Sequence, residues 1–432
     1  MGLFWLESGY SYECFRPLSR LFENLLYCIL AKAFDPVQFL TLALSYADMT
    51  SMSKMGNNFF SVSFDLIVLD KSIPYDLYVN SSASSERERF VRIYPKNDIL
   101  SLEDLKLFKK KYFQLYVHEF QREDYLKSLI QISGVADTTK TEVIKSSAIH
   151  YLDKLFDKDK EFTTELLSET ISECKVAVES MVDVIKDYDV SKLQGLIASL
   201  SFHDFYTYDH SINVSMYCIS LYRAAKPNAK KDEIVMAGLG GLLHDIGKIK
   251  ISTDIINKPE KLSDEEFNII KTHPAFGFEL LAENPCDCEG VDFNIIKRVV
   301  YEHHENFNGS GYPRKLSGAD IHLLARVTAI ADFFDAITTK RTYHEVLSTE
   351  DAITVMAKTV GKKLDPQLFE VFTKSVKQLV FNGKLNKELP EDFDPCQPQN
   401  VLPFRNPRGY KVEGFGAGDK PQSFGKIKKK VG

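Results

Sequence analysis

One stretch limits what this chain can fold into more than any other: Gly240-Gly241-Leu242-Leu243-His244-Asp245-Ile246-Gly247-Lys248. Small and apolar residues run straight into an adjacent imidazole and carboxylate. A lysine follows one helical turn past the histidine, where an ammonium can meet an anion. An imidazole nitrogen and a carboxylate oxygen at the end of an apolar helix can hold one divalent metal from one side. A lone His-Asp pair is more often a surface pair, but this one has company. Eight of the ten histidines lie between positions 203 and 344: His203, His210, His244, His273, His303, His304, His322 and His344.

The segments carrying those histidines are helix after helix from about 200 to 385, with polar breaks near 226–232, 257–263, 284–292 and 306–320. Ser263-Asp-Glu-Glu266 is a capping box that opens the helix expected to carry His273, and Asp365-Pro366 opens the last helix. Helix bundles build di-metal sites by projecting His and carboxylate inward from several helices. His210, His244, Asp245, His273, His303, His304 and Asp332 sit in or beside apolar runs, at the ends of successive helices in this reading. Any one of them is more often structural, but so many in one bundle point to ligands. The nitrogen and oxygen donors, with no thiolate among them, suit Fe, Mn or Zn better than copper. Two such metals about 3.5–4 Å apart suit phosphodiester hydrolysis by a metal-bridging hydroxide. Asp245 is then the bridging carboxylate, and Lys248 and Arg341 meet the remaining phosphate oxygens, Arg341 in bidentate fashion.

Upstream, the pattern changes. From Phe59 apolar and polar residues alternate, as in a strand (59–66), with further strands expected over 75–79, 90–94 and 112–117. Ser101-Leu-Glu-Asp104 caps a helix running to Lys111. This predicts a small α+β domain over 56–133, without a catalytic constellation, that acts as a sensor or interaction module or as a scaffold. A helical linker is expected over 134–195, joining it to an all-α bundle over 196–388. The fold class is therefore α+β overall. Residues 1–55 read as untranslated or disordered: Met49, Met52 and Met55 precede the regular pattern, and translation is expected to begin at one of them. An intact mass that includes residues 1–46 would contradict this. Residues 389–432, rich in Pro and Gly and ending in a lysine cluster, read as a disordered tail.

The chain has 432 residues, enough for two or three domains. A net charge of -6 argues against a dedicated nucleic-acid binder. Seven cysteines in no disulfide framework fit a reducing cytoplasm. Cys286 and Cys288 have the wrong spacing for a zinc knuckle and read as a loop. The apolar run over 25–47 is broken by Lys32, Asp35 and Pro36, so no membrane span is expected.

The order and spacing of these residues resemble the HD-GYP phosphodiesterases, a branch of the HD superfamily, over about 200 to 385. The resemblance rests on Tyr206-Thr-Tyr-Asp-His210-Ser, His244-Asp245-Ile-Gly-Lys248, Lys258-Pro259, His273-Pro274 and His303-His304-Glu305. It continues through Asn308-Gly-Ser-Gly311-Tyr312-Pro313, Ala331-Asp332-Phe-Phe-Asp335-Ala-Ile-Thr338 and Arg341-Thr-Tyr343. It implies an all-helical domain that hydrolyses cyclic di-GMP to pGpG and onward to GMP, or cyclic GMP-AMP instead. By position, His210, His244, Asp245, His273, His303, His304 and Asp332 are implied metal ligands. Lys248 and Arg341 are implied phosphate contacts, and Asp335 orients a neighbour. The Gly311-Tyr312-Pro313 loop covers the site or meets diguanylate cyclase partners, and a homodimer is left open. Family members with three metals carry Glu where this chain has Tyr206, so two are expected. Glu260, Thr342 and His344 are further departures, and they keep a second reading in view: a weakly catalytic receptor for cyclic di-GMP or for a cyclase.

Overall fold

A computed structural model describes residues 59–82, 88–157, 162–200, 206–256, 258, 262–339 and 347–376. The expectations for 1–55 and 389–432, and for His203, Glu260, Arg341, Thr342 and His344, fall outside these residues. The described chain forms two compact units, one of residues 59–64 and 75–122, the other of 65–74 and 123–376.

The first unit is a four-stranded antiparallel sheet. Its strands are β1 (Phe59–Val62), β2 (Leu77–Asn80), β3 (Phe90–Tyr94) and β4 (Leu115–His118), in the order β1-β4-β2-β3. Phe59 pairs with His118 and Val62 with Leu115, while Asn80 pairs with Phe90. Phe59 also stacks on Phe90 at 4.1 Å between ring centroids, a side-chain contact between the two edge strands. Helix α1 (Leu102–Lys111) starts at the expected capping box, with Ser101 and Asp104 capping each other's backbone N–H. The expected strands at 59–66, 75–79 and 112–117 are each shorter or shifted. The alternating pattern over 59–66 breaks because residues 64–66 form a 3-10 turn.

The second unit is helical. After α2 (Arg122–Ser128) come α3 (Asp137–Phe156), α4 (Thr164–Val184), α5 (Val190–Ala198), α6 (Tyr206–Ala225) and α7 (Lys231–Leu243). Then follow α8 (Thr253–Ile256), α9 (Asp264–Ile270), α10 (His273–Glu283), α11 (Phe293–Glu302), α12 (Leu323–Thr338), α13 (Thr349–Ala357) and α14 (Pro366–Lys374). Helix α6 is central: it packs on α7, α12 and α14. Its residues from Tyr208 to Tyr222 are buried, including Ile212, Val214, Met216 and Ile219. From Ile234 to Leu243 helix α7 is apolar and buried on every side, as a stretch enclosed by other helices must be.

Residues 134–195, read as a linker, pack into this bundle: α4 lies on α7, and α3 and α5 lie on α6. Two polar contacts secure α3 to the start of α6. The Lys145 ammonium meets Asp209 at 2.8 Å, with both side chains buried, and the Tyr208 hydroxyl donates to Asp153 at 3.0 Å. Among the described residues, no helix is long and apolar enough to cross a membrane.

Candidate metal centre

Each candidate ligand is delivered by a different local device. His210 lies just past the first turn of α6. His244 caps the C-terminus of α7, and Asp245 begins the 3-10 turn Ile246–Lys250. The capping box at Ser263 opens α9, which stops at Ile270; His273 is instead the first residue of α10, with Pro274 fixing the entry to that helix. His303 caps α11 and His304 follows it. Asp332 sits in the middle of α12. The expectation that all of these end helices is thus corrected: the bundle gathers them from starts, ends and one interior, because what they share is a direction and not a place along the helix.

The sequence separation of Asp245 and His273 closes through two glycines. A Cβ built on Gly247 would lie 1.9 Å from the His273 carbonyl oxygen and 2.5 Å from the Gly277 nitrogen. Only a residue without a side chain lets the turn after Asp245 lie directly on the first turn of α10. Gly277 is under the same constraint, since its Cβ would strike Val300 at 2.5 Å.

The imidazoles are oriented by a repeated contact. His244 Nδ1 lies 2.7 Å from the Gly241 carbonyl, His273 Nδ1 2.8 Å from Ile270, and His303 Nδ1 2.9 Å from Val300. A carbonyl only accepts, so each Nδ1 carries the proton and donates it, and each Nε2 turns a lone pair inward. His210 is held differently. Its Nδ1 lies 2.7 Å from Asp335 Oδ2, while Asp335 Oδ1 accepts from Asn213 and Thr339. Sequence reading expected Asp335 to orient a neighbour, and the geometry places it against His210. Asn213 and Thr339 were missed; Asn213 falls one turn after His210 on the same face, which was the available signal.

The inward atoms form two groups. Ligand atoms of His210, His244 and Asp245 lie within 4.8 Å of one another, as do those of His273, His303 and His304. Asp245 joins the groups: one oxygen is 3.3 Å from His244 Nε2, and the other is 3.1 Å from His273 Nε2. Asp332 adds a carboxylate oxygen 3.0 Å from His210 Nε2. All seven are among the residues the structure gathers, and all but the half-buried His304 are buried.

The donor set fits a metal. His273 Nε2 and His303 Nε2 face each other at 3.1 Å, with both Nδ1 atoms turned to backbone carbonyls, so the two Nε2 atoms converge where one cation could take both. Burial, reinforced by the neighbouring His304, His244 and His273, holds His303 well below the usual histidine range and so keeps its lone pair free. For Asp245, burial favours the protonated form, but His244 and Lys248 outweigh it and keep the carboxylate charged. For His210, burial opposes the charged form, yet Asp332 and Asp335 overcome it and push the imidazole up to about 9. A divalent cation would replace that proton.

Lys248 reaches Asp245 Oδ2 at 2.5 Å and remains partly exposed. Gly311-Tyr312-Pro313 folds back over the site: Tyr312 stacks on His304 at 4.9 Å, and its N–H donates to the His304 carbonyl. A Cβ on Gly311 would sit 2.2 Å from the Asn306 nitrogen, so close backbone approach requires glycine there. Glu305, given no role from sequence, anchors this loop by accepting from the N–H groups of Arg314 and Leu316 at 2.6 and 3.0 Å. Lys363, also unforeseen, lines the same opening with His304, Tyr312 and Asp332. His322 caps α12 and plays no part in the cluster.

A family model described as HD domain matches residues 196–368. The chain is 40% identical over 200 residues to a cyclic di-GMP phosphodiesterase of Pseudomonas aeruginosa, covering 45% of this chain and 46% of that protein. It is 31% identical over 176 residues to 3'3'-cGAMP-specific phosphodiesterase 3 of Vibrio cholerae, covering 40% of this chain and 36% of that one. It thus spans less than half the length of both relatives. A solved HDG"Y"P protein from Bdellovibrio bacteriovorus aligns over 73% of this chain and 98% of its own, at 20% identity and a TM-score of 0.46.

Proposed function

We propose that this chain, whose residues 196–368 match a family model described as HD domain, is a metal-dependent phosphodiesterase that opens cyclic di-GMP to linear pGpG. The observation that carries the reading is the pair of three-donor groups joined through Asp245. Relatives named for cyclic di-GMP and for cyclic GMP-AMP support the substrate class. His210, His244, Asp245 and Asp332 would hold one divalent ion, and His273, His303 and His304, again with Asp245, a second. The thiolate-free donor set suits Fe or Mn. When bound, such a pair supplies a water of lowered pKa and offsets phosphate charge.

The protein's own contribution is positioning. The carbonyls of Gly241, Ile270 and Val300 and the Asp335 carboxylate lock the imidazoles, so no reorganisation is needed at the moment of reaction. Lys248 sits beside Asp245, placed to draw a phosphate oxygen toward the cluster. Arg341 is assigned the same role from its motif. Tyr312, over His304, restricts the approach from that side. Water adds at phosphorus, the bond to the ribose 3′-oxygen breaks, and that oxygen takes up a proton. Incubating the protein, loaded with Fe(II) or Mn(II) under reducing conditions, with each cyclic dinucleotide tests this reading. A linear product is expected; binding without product would leave only the receptor reading.

A further inference from the structure

A cleft of about 450 Å³ opens between the end of α3, the start of α4 and the segment 248–256. That volume falls in the range of small-molecule pockets, about 300–1,000 Å³. Its wall is apolar and aromatic: Leu155, Phe156, Tyr208 and Ile251. The Phe156 ring meets Tyr208 edge to face, with centroids 5.6 Å apart, and Phe156 is only half-buried. Lys248, Lys250, Lys154, Asp153 and Asp157 supply charge at the same cleft; Lys154 is paired with Glu173, Asp153 accepts from Tyr208, and Lys250 is exposed. Phe156 and Tyr208 also line a space of about 10 Å³ beside Asp245. A second opening among the described residues, between His304 and Tyr312, encloses about 50 Å³.

From this we infer that the cleft is the seat of one guanosine half of a cyclic dinucleotide, with its base against Phe156; the inference rests on the function proposed above. A base has a flat π face that stacks on an aromatic ring whatever its identity. Guanine adds acceptors at O6 and N7 and a donor at N2. An ammonium such as Lys250 suits the acceptor edge, and a carboxylate such as Asp157 suits the donor edge. Adenine would set its N6 donor toward the ammonium, so the pair favours guanine. Lys248 lines the cleft and contacts Asp245, so a base seated here leaves its phosphate beside the cluster. Three of these residues, Leu155, Phe156 and Asp157, precede the HD match, which begins at 196; the helices read as a linker thus complete the substrate site.

The test combines calorimetric titration of cyclic di-GMP with steady-state turnover for the metal-loaded full chain and three variants. Phe156→Ala should weaken binding and raise KM about tenfold, toward the low end of what losing a stacked base costs, with metal content unchanged. Lys250→Glu, at an exposed position, should weaken binding in the same direction and keeps the test available if Phe156→Ala fails to fold. Asp157→Asn should narrow the preference for cyclic di-GMP over cyclic di-AMP. An active wild type whose affinity and KM are untouched by Phe156→Ala and Lys250→Glu overturns the subsite and leaves the proposed function standing. A wild type that neither binds nor cleaves cyclic di-GMP overturns both.

Discussion

Gly247 offers the sharpest test of how the site is held together. In Gly247→Ala the new methyl would lie 1.9 Å from the His273 carbonyl oxygen and 2.5 Å from the Gly277 nitrogen. Both are backbone atoms of α10, so no rotamer change relieves the clash. Backing off to a tolerable approach of about 3 Å moves the first turn of α10 by about 1 Å relative to the turn that follows Asp245. His273 travels with that turn, and its 3.1 Å contact with Asp245 lengthens accordingly. Metal–ligand distances tolerate only about 0.2 Å, and a misplacement of 1 Å costs roughly 100-fold in rate. Overpacking itself costs about 1–3 kcal/mol, which lowers the unfolding midpoint by roughly 2–12 °C for a unit of this size. Metal analysis, turnover and thermal unfolding on one preparation read all three effects. A Gly247→Ala protein with wild-type metal content, rate and midpoint would refute the claim that this glycine sets the Asp245–His273 approach.

Three other outcomes follow from the same geometry. Asp335→Asn turns a donor or a weaker acceptor toward His210 Nδ1 and should lower metal affinity about 10–100-fold, read as faster loss of metal to a chelator. Lys145→Met strands the Asp209 carboxylate between helices and should cost about 3–5 kcal/mol by urea unfolding. Adding Asp209→Leu should recover most of that loss; no recovery would mean the pair is not the source. Glu305→Ala leaves the N–H groups of Arg314 and Leu316 without their acceptor. It should make the Gly311-Tyr312-Pro313 loop exchange backbone amides faster, by hydrogen-exchange mass spectrometry, while α6 and α12 remain protected.

The candidate ligands were legible because they carry chemistry at characteristic spacings. His244-Asp245 and His303-His304 are rare pairs, and their placement among apolar helical runs is visible without coordinates. What surrounds them was less legible. Gly247 reads as an ordinary helix end, because the atom it must avoid belongs to a helix that begins some 25 residues later. Asn213, Thr339 and Glu305 do their work through contacts across the fold, and polar residues at those positions look like many others. His273 was assigned to the helix opened by Ser263 because one apolar period spans both α9 and α10; the break at 271–272 has no Gly or Pro before Pro274 to announce it. The helical period of 134–195 was plain, but periodicity shows which face is apolar and not what covers it. So α3, α4 and α5 looked like a connector when they are part of the bundle.

The account's central claim is that the two donor groups joined through Asp245 hold metal for dinucleotide hydrolysis. Stripping the protein of metal, returning Mn(II) in steps and following cyclic di-GMP turnover against metal bound per chain tests it most directly. The account predicts no linear product in the stripped protein and a rate that rises to a plateau at two equivalents. Full turnover without metal, or none at any occupancy, would contradict it.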